Sequence, residues 1–224
     1  MSSVIVTGGT GGLGVAVTRA MLAAGWSVVV PWIFEQELER LPDDVRLQPI
    51  QADLFNAESV AECTALADQP DEPLKAVVNL VGGFGSGGRL HETPLDEFDN
   101  QLRLNVRPGV LMAQAAMPRL IANGGGAFVC VSSQAIRKPF SGAAGYLTAK
   151  TAVLGLAGAL HAEYARDGIR VNTILPDVID TPANRANQPT ADYSKWTSPE
   201  AIAATLVFLC DDAAAAIRGA QITV

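Results

Sequence analysis

The chain has 224 residues, 49% of them hydrophobic, 17% charged and 6% aromatic, which is too apolar for a disordered segment and long enough for one domain with a substantial core. Its formal net charge of -7 argues against a nucleic-acid partner, because phosphate binding asks for a basic face. No run of about 18 apolar residues without polar breaks reads as a membrane span.

In chain order, strands alternate with helices. "SVIVT" reads as a strand and Leu13 to Ala24 as a helix; "WSVVV" and "RLQPIQAD" are the next two strands. Ser59 to Ala67 reads as helix and "KAVVNLV" as strand, followed by the loop "GGFGSGGRLHE". Pro94 to Ile121 is a long helical stretch in which Pro108 and Pro118 predict kinks. "GAFVCVSS" is a strand, Tyr146 to Asp167 a helix and "IRVNTILP" a strand. Ser198 and Pro199 predict the N-cap and first turn of a helix reaching Asp211, and "AQITV" reads as a last strand. The strands are apolar on consecutive residues, as when both faces are covered. The pattern predicts an α/β fold: one Rossmann-type, doubly wound parallel sheet with helices on both faces, as a single domain over 1–224.

Cys63, Cys130 and Cys210 lie far apart, with no C-x-x-C spacing, and the only histidines are His91 and His161. These read as reduced, buried thiols of a cytoplasmic protein, and no metal site is expected. The start "MSSVIVTGG" lacks the basic and long apolar regions of a secretory signal.

The segment "GGTGGLG", Gly8 to Gly14, sits at the first strand-to-helix turn. Glycine there allows positive φ and close approach of the backbone to a ligand. The helix that follows offers unpaired N–H groups and the positive end of its dipole, a combination that suits a pyrophosphate. No Gly-Lys-Ser/Thr follows, which disfavours a nucleoside-triphosphate loop. The alternative is a tight turn that binds nothing. Farther along, "GYLTAK" places Tyr146 and Lys150 four residues apart, on one helix face. A nearby ammonium lowers a phenol's pKa, so Tyr146 could exchange a proton with an alcohol or carbonyl oxygen, and Ser133, at the end of the preceding strand, could hold the same oxygen. The alternative is a packed tyrosine beside a snorkelling lysine. The order of these features along the chain places all of them at the carboxyl ends of strands, where such sheets bind ligands.

In these residues the chain resembles the short-chain dehydrogenase/reductase family over essentially its whole length. "TGGTGGLG" is similar to the family's cofactor loop at Thr7, Gly8, Gly12 and Gly14, and Asp53 matches the aspartate used at adenine. "NLVGG" stands where the family has N-N-A-G, with Asn79 matching. Asn105, Ser133, Tyr146 and Lys150 match the catalytic tetrad, and "VNTILPDVIDTP" matches the segment after the sixth strand at Pro176, Ile179 and Thr181, with Asp177 in place of the usual glycine. The resemblance implies hydride transfer between a nicotinamide and a small carbonyl or alcohol substrate. Tyr146 would handle the proton, Lys150 would contact the nicotinamide ribose and depress the tyrosine pKa, Ser133 would orient the substrate oxygen and Asn105 would hold a water. It also implies a cofactor, NAD or NADP, bound by Thr7, Gly8, Gly12, Leu13, Gly14, Trp32, Asp53, Leu54, Asn79, Tyr146, Lys150, Pro176, Ile179 and Thr181.

Neither the acidic residue of NAD-preferring members at the end of the second strand nor the cation of NADP-preferring ones is present there. Pro31, Trp32 and Gly11 occupy those places, and with no cation for a 2′-phosphate NAD is favoured. Trp32 stacks on adenine or caps the sheet edge. Phe84, Gln134, Ile136, Phe140, Asp177 and Trp196 are candidate substrate-pocket residues, and "TPANRANQPTADYSKW" reads as a mobile flap. The "VGGF" opening of the glycine-rich loop is similar to dihydropteridine reductase, a local likeness that names no substrate. The family's helix pair implies a homodimer or homotetramer, with Ala152, Gly155, Ala159 and Ala162 allowing close helix approach. "GAQITV" ends the chain where the family commonly adds an aspartate and two glycines. Two other readings stay open: a dinucleotide-binding sensor or structural partner without turnover, and an enoyl reductase, against which the Y-x3-K spacing counts.

Overall fold

Every valine-rich run becomes a strand. The computed structural model describes residues 1–224. Its strands are β1 (Ser3–Thr7), β2 (Ser27–Trp32), β3 (Leu47–Gln51), β4 (Leu74–Asn79), β5 (Gly126–Val131), β6 (Ile169–Leu175) and β7 (Gln221–Thr223). They form one sheet in the order β3-β2-β1-β4-β5-β6-β7, and every pairing is parallel. Pro49 is tolerated because β3 is an edge strand. Pro31 lies beyond the β1–β2 ladder, which ends at Ile5 and Val29, and is paired only with Ile50 of β3.

The helices are α1 (Gly14–Ala23), α2 (Ala57–Leu66), α3 (Leu95–Ala122), α4 (Ala144–Tyr164), α5 (Pro182–Asn187) and α6 (Pro199–Cys210). One apolar layer joins Val60 of α2, Met112 and Met117 of α3 and Val153 of α4 to Ile5, Val77 and Phe128 of the sheet. The other joins Val17 and Met21 of α1 and Ile202 and Leu206 of α6 to Val4, Val28 and Val129. Alternate residues of β1 thus enter opposite layers, which is why the strands lack a polar face.

Several boundaries differ from the sequence reading. α2 starts at Ala57 because the Asn56 side chain accepts from the backbone N–H groups of Glu58 (2.8 Å) and Ser59 (3.1 Å). α3 continues through both Pro108 and Pro118. The segment read as a flap folds into α5 and a single helical turn at Tyr193–Lys195, braced by the Asp180–Arg185 ion pair and by Tyr193 packed against Trp196, with ring centroids 4.7 Å apart and planes at 55°. Ser198 caps α6 as the sequence predicts, its hydroxyl accepting from Ala201 N–H at 3.2 Å.

β1 and β4 are neighbours although β2 and β3 lie between them in the chain. The connections leave the sheet in opposite directions there and open a crevice at the carboxyl ends of the strands.

Candidate active site

That crevice is a cleft of about 1370 Å3. It brings together Gly8, Gly12, Leu13, Gly14, Trp32 and Leu54 from its β1–β3 side with Ser133, Tyr146, Lys150, Pro176 and Ile179 from the other. Phe84, Gln134, Phe140 and Asp177 also line it.

The glycine turn is built by packing. A Cβ on Gly14 would run into the Gly8 carbonyl oxygen and lie 2.6 Å from Gly9 Cα, and Gly8 itself has φ +67°. Gly14 is therefore glycine for the sake of the turn, before any ligand is considered. The turn still offers an anion cradle. Gly11 N–H donates to Gly8 O and Val15 N–H to Gly11 O, but the N–H groups of Gly12, Leu13 and Gly14 have no partner in the chain. α1 carries no side-chain cap and no acidic residue in its first turn. These features fit the pyrophosphate of a dinucleotide.

Four of the expected residues stand behind the cleft wall. Thr7 Oγ1 donates to Asn79 Oδ1 at 3.0 Å and accepts from Leu80 N–H at 3.0 Å, tying β1 to the end of β4. Thr181 caps α5 by accepting from Asn184 N–H at 3.2 Å, and a Cβ on Gly12 would lie 3.0 Å from Thr181 Cβ. The buried Asn105 amide spends both ends on Gly83: Oδ1 accepts from Gly83 N–H and Nδ2 donates to Gly83 O, each at 3.1 Å. Asp53 is exposed, and its carboxylate accepts from Phe55 N–H at 2.9 Å. Trp196, on Tyr193, and Ile136 are outside the lining.

The sequence reading missed one group at the cleft. Past β2, the turn of helix Glu35–Arg40 folds back onto the glycine turn. Glu37 lines the cleft and accepts from Thr10 Oγ1 at 2.7 Å, while Arg40 Nη1 donates to Thr10 O at 3.3 Å and lies 3.7 Å from the Glu37 carboxylate. The i, i+3 spacing of Glu37 and Arg40 is that of any solvated helical turn, so no sequence signal marks the contact. Asn184, Asn187 and Gln188 also enter the lining once the flap segment folds.

The family model described as short chain dehydrogenase matches residues 2–192. This chain belongs to the short-chain dehydrogenase family. Among its relatives, 2-(R)-hydroxypropyl-CoM dehydrogenase of Xanthobacter autotrophicus is 31% identical, over 83% of this chain and 78% of that protein. D-threitol dehydrogenase of Mycolicibacterium smegmatis is 30% identical, over 98% and 90%. A solved short-chain type dehydrogenase/reductase from Mycobacterium ulcerans superposes with a TM-score of 0.91 at 26% identity, over 100% of this chain and 88% of that one.

The electrostatics of this short-chain dehydrogenase depart from the simple expectation for Tyr146 and Lys150. Burial pushes the Tyr146 phenol up, opposed by the neighbouring Ser133 hydroxyl. Lys150 is buried, with Nζ donating to Val131 O at 3.2 Å and lying 5.9 Å from the tyrosine ring centroid. Its own pKa is lowered to about 8 by that burial. The Lys150 ammonium is held at the end of β5, and the shift of the phenol is upward, with burial as its largest cause. A protonated phenol beside a serine hydroxyl is equipped to donate to a carbonyl oxygen. The three cysteines are buried, and burial pushes each thiol up to about 12, so they play no nucleophilic part.

Proposed function

We propose that this short-chain dehydrogenase reduces a small carbonyl compound, or oxidises the matching alcohol, with a nicotinamide dinucleotide and with Tyr146 as the proton carrier. The observation that carries the reading is the meeting of Tyr146 and Ser133 with buried Lys150 in the cleft that also holds the unpaired N–H groups of the glycine turn. When bound, the nicotinamide supplies or accepts the hydride. Gly12, Leu13 and Gly14 would hold its pyrophosphate through their N–H groups. Ser133 orients the substrate oxygen, its own hydroxyl fixed by accepting from Ala135 N–H at 3.2 Å. Tyr146 gives that oxygen its proton during reduction and takes it back during oxidation. Lys150 holds a positive charge beneath the site at pH values below about 8. Asn105 acts as a positioning residue by fixing Gly83.

NAD is the favoured cofactor. The Glu37 carboxylate sits at the glycine turn, where a ribose hydroxyl would be accepted and a 2′-phosphate repelled.

The test is turnover. Incubation with NADH or NADPH and a panel of small aldehydes and ketones should oxidise the cofactor in step with carbonyl loss, faster with NADH. Binding of dinucleotide with no turnover of any carbonyl or alcohol would overturn the reading in favour of a sensor.

A further inference from the structure

The glycine-rich stretch 82–88 has the composition of a flexible linker, yet its backbone is pinned on both sides of Phe84. Gly83 is gripped by two hydrogen bonds with Asn105, one donated and one accepted. A Cβ on Gly83 would lie 2.6 Å from Leu104 Cδ2, and one on Gly85 would run into the Gln101 amide, so a side chain at either place would have to displace the ends of Leu104 and Gln101 on α3. Gly87 N–H then donates to Gly142 O at 2.8 Å and joins this loop to the one that carries Phe140.

The outcome is a fixed pair of rings at the reacting tyrosine. Phe84 meets Tyr146 edge to face, with centroids 5.0 Å apart and planes at 77°. Phe140 lies 6.3 Å from Phe84 with planes at 37°. Both line the cleft, and they are 57% and 47% exposed. Ordinary core packing, the bland account of these side chains, buries such rings; here the backbone is held so that the rings stay open to the cleft. Three rings with inter-centroid spacings in the aromatic range leave edges and faces free for a further ring.

We infer that the substrate of this cleft is an aromatic carbonyl compound, in which the reacting carbon is attached to a planar ring that rests against Phe84 and Phe140. The inference rests on the carbonyl reading of the site. In the reduction, the carbonyl carbon takes the hydride from the reduced nicotinamide, the C=O π bond breaks, and its oxygen takes the Tyr146 proton; the cofactor is left oxidised and the product is a benzylic-type alcohol.

A matched pair of ligands, one aromatic and one saturated, isolates the ring contact from plain apolar burial. In the first arm, Tyr146→Phe protein loaded with oxidised cofactor is titrated by calorimetry with benzyl alcohol and with cyclohexylmethanol. Benzyl alcohol should bind more tightly by roughly two- to tenfold, the range for aromatic pairing beyond area. Phe84→Ala in the same background should bring the two to near parity, with far-UV dichroism confirming an intact fold. Equal affinities, no binding of either alcohol, or a preference that survives both Phe84→Ala and Phe140→Ala would overturn the inference. In the second arm, the wild-type protein reduces benzaldehyde and cyclohexanecarbaldehyde. A higher kcat/KM for benzaldehyde supports the inference, and equal values overturn it while the carbonyl reading stands. Reduction of neither, with the binding preference intact, would overturn the carbonyl reading and leave the aromatic site in place.

Discussion

Lys150 is buried and Tyr146 half-buried, and loss of solvent drives them in opposite directions, the phenol up and the ammonium down to about 8. Tyr146→Phe keeps the ring against Phe84 and removes the proposed proton carrier. Turnover should fall by about 10²–10⁴-fold, the usual worth of acid–base assistance, while calorimetry shows dinucleotide affinity unchanged. Lys150 should reveal itself in stability as well. Unfolded, the amine titrates near 10.5, so between pH 8 and 10.5 the unfolded chain binds more protons than the fold, and folding stability rises with pH across that window. Below about 8 the fold must carry a buried charge. Lys150→Met should therefore stabilise the protein at pH 7 by roughly 3 kcal/mol, the scale of such a shift, with a gain that shrinks as pH rises towards 10.5. Chemical denaturation at pH 7 and pH 10 measures it; equal gains at both would show that burial does not tax the lysine. The proposed tetrad of Asn105, Ser133, Tyr146 and Lys150 was legible in the sequence as residue types at fixed spacings. Its electrostatics were not, because whether Lys150 aims at the phenol or at Val131 O depends on the rotamer under the strand end.

Two elements meet at the glycine turn, and they differ in how much the sequence disclosed. The turn itself was plain from five glycines between a valine run and a helix, but not the reason for each glycine. At Gly14 the reason is the Gly8 carbonyl, so Gly14→Val should cost the fold as well as the ligand, by about 1–3 kcal/mol or more, as overpacking does. Denaturant melts would show it, and an unchanged midpoint would mean that the turn opens freely. The turn of helix Glu35–Arg40 was invisible, since a Glu–Arg pair looks the same facing water or facing Thr10. Glu37→Gln keeps the hydrogen bond to Thr10 and removes the charge. NADPH affinity should rise several-fold, by the release of a repulsion worth about 1 kcal/mol near the surface, with NADH nearly unaffected. Parallel titrations with both cofactors measure the ratio; no change would place the 2′-hydroxyl elsewhere.

At the scale of the whole molecule, the alternation of strands and helices was enough to predict the parallel sheet, because covered strands must be apolar on both faces. Which copies meet was legible only as a stripe of small residues. In the structure Gly155, Ala159 and Ala162 of α4 are exposed, and nothing lies within 4 Å of a Cβ placed on Gly155. We propose that this face joins two copies. Light scattering at micromolar concentration should give a multiple of 23.4 kDa, and Gly155→Arg should return the monomer with the helix intact, since arginine is the better helix former. A wild-type monomer would end the proposal. A parallel sheet also has a direction, and the two ends of the chain fall on opposite sides of it. Met1 precedes β1 at the amino ends of the strands, away from the cleft, whereas Val224 follows β7, and its carbonyl oxygen accepts from Asp177 N–H at 3.2 Å and from Gln134 Nε2 at 3.4 Å. Both of those residues line the cleft. An affinity handle or fluorescent reporter fused after Val224 would therefore begin its linker at the mouth of the cleft, while the same fusion ahead of Met1 would leave that mouth clear.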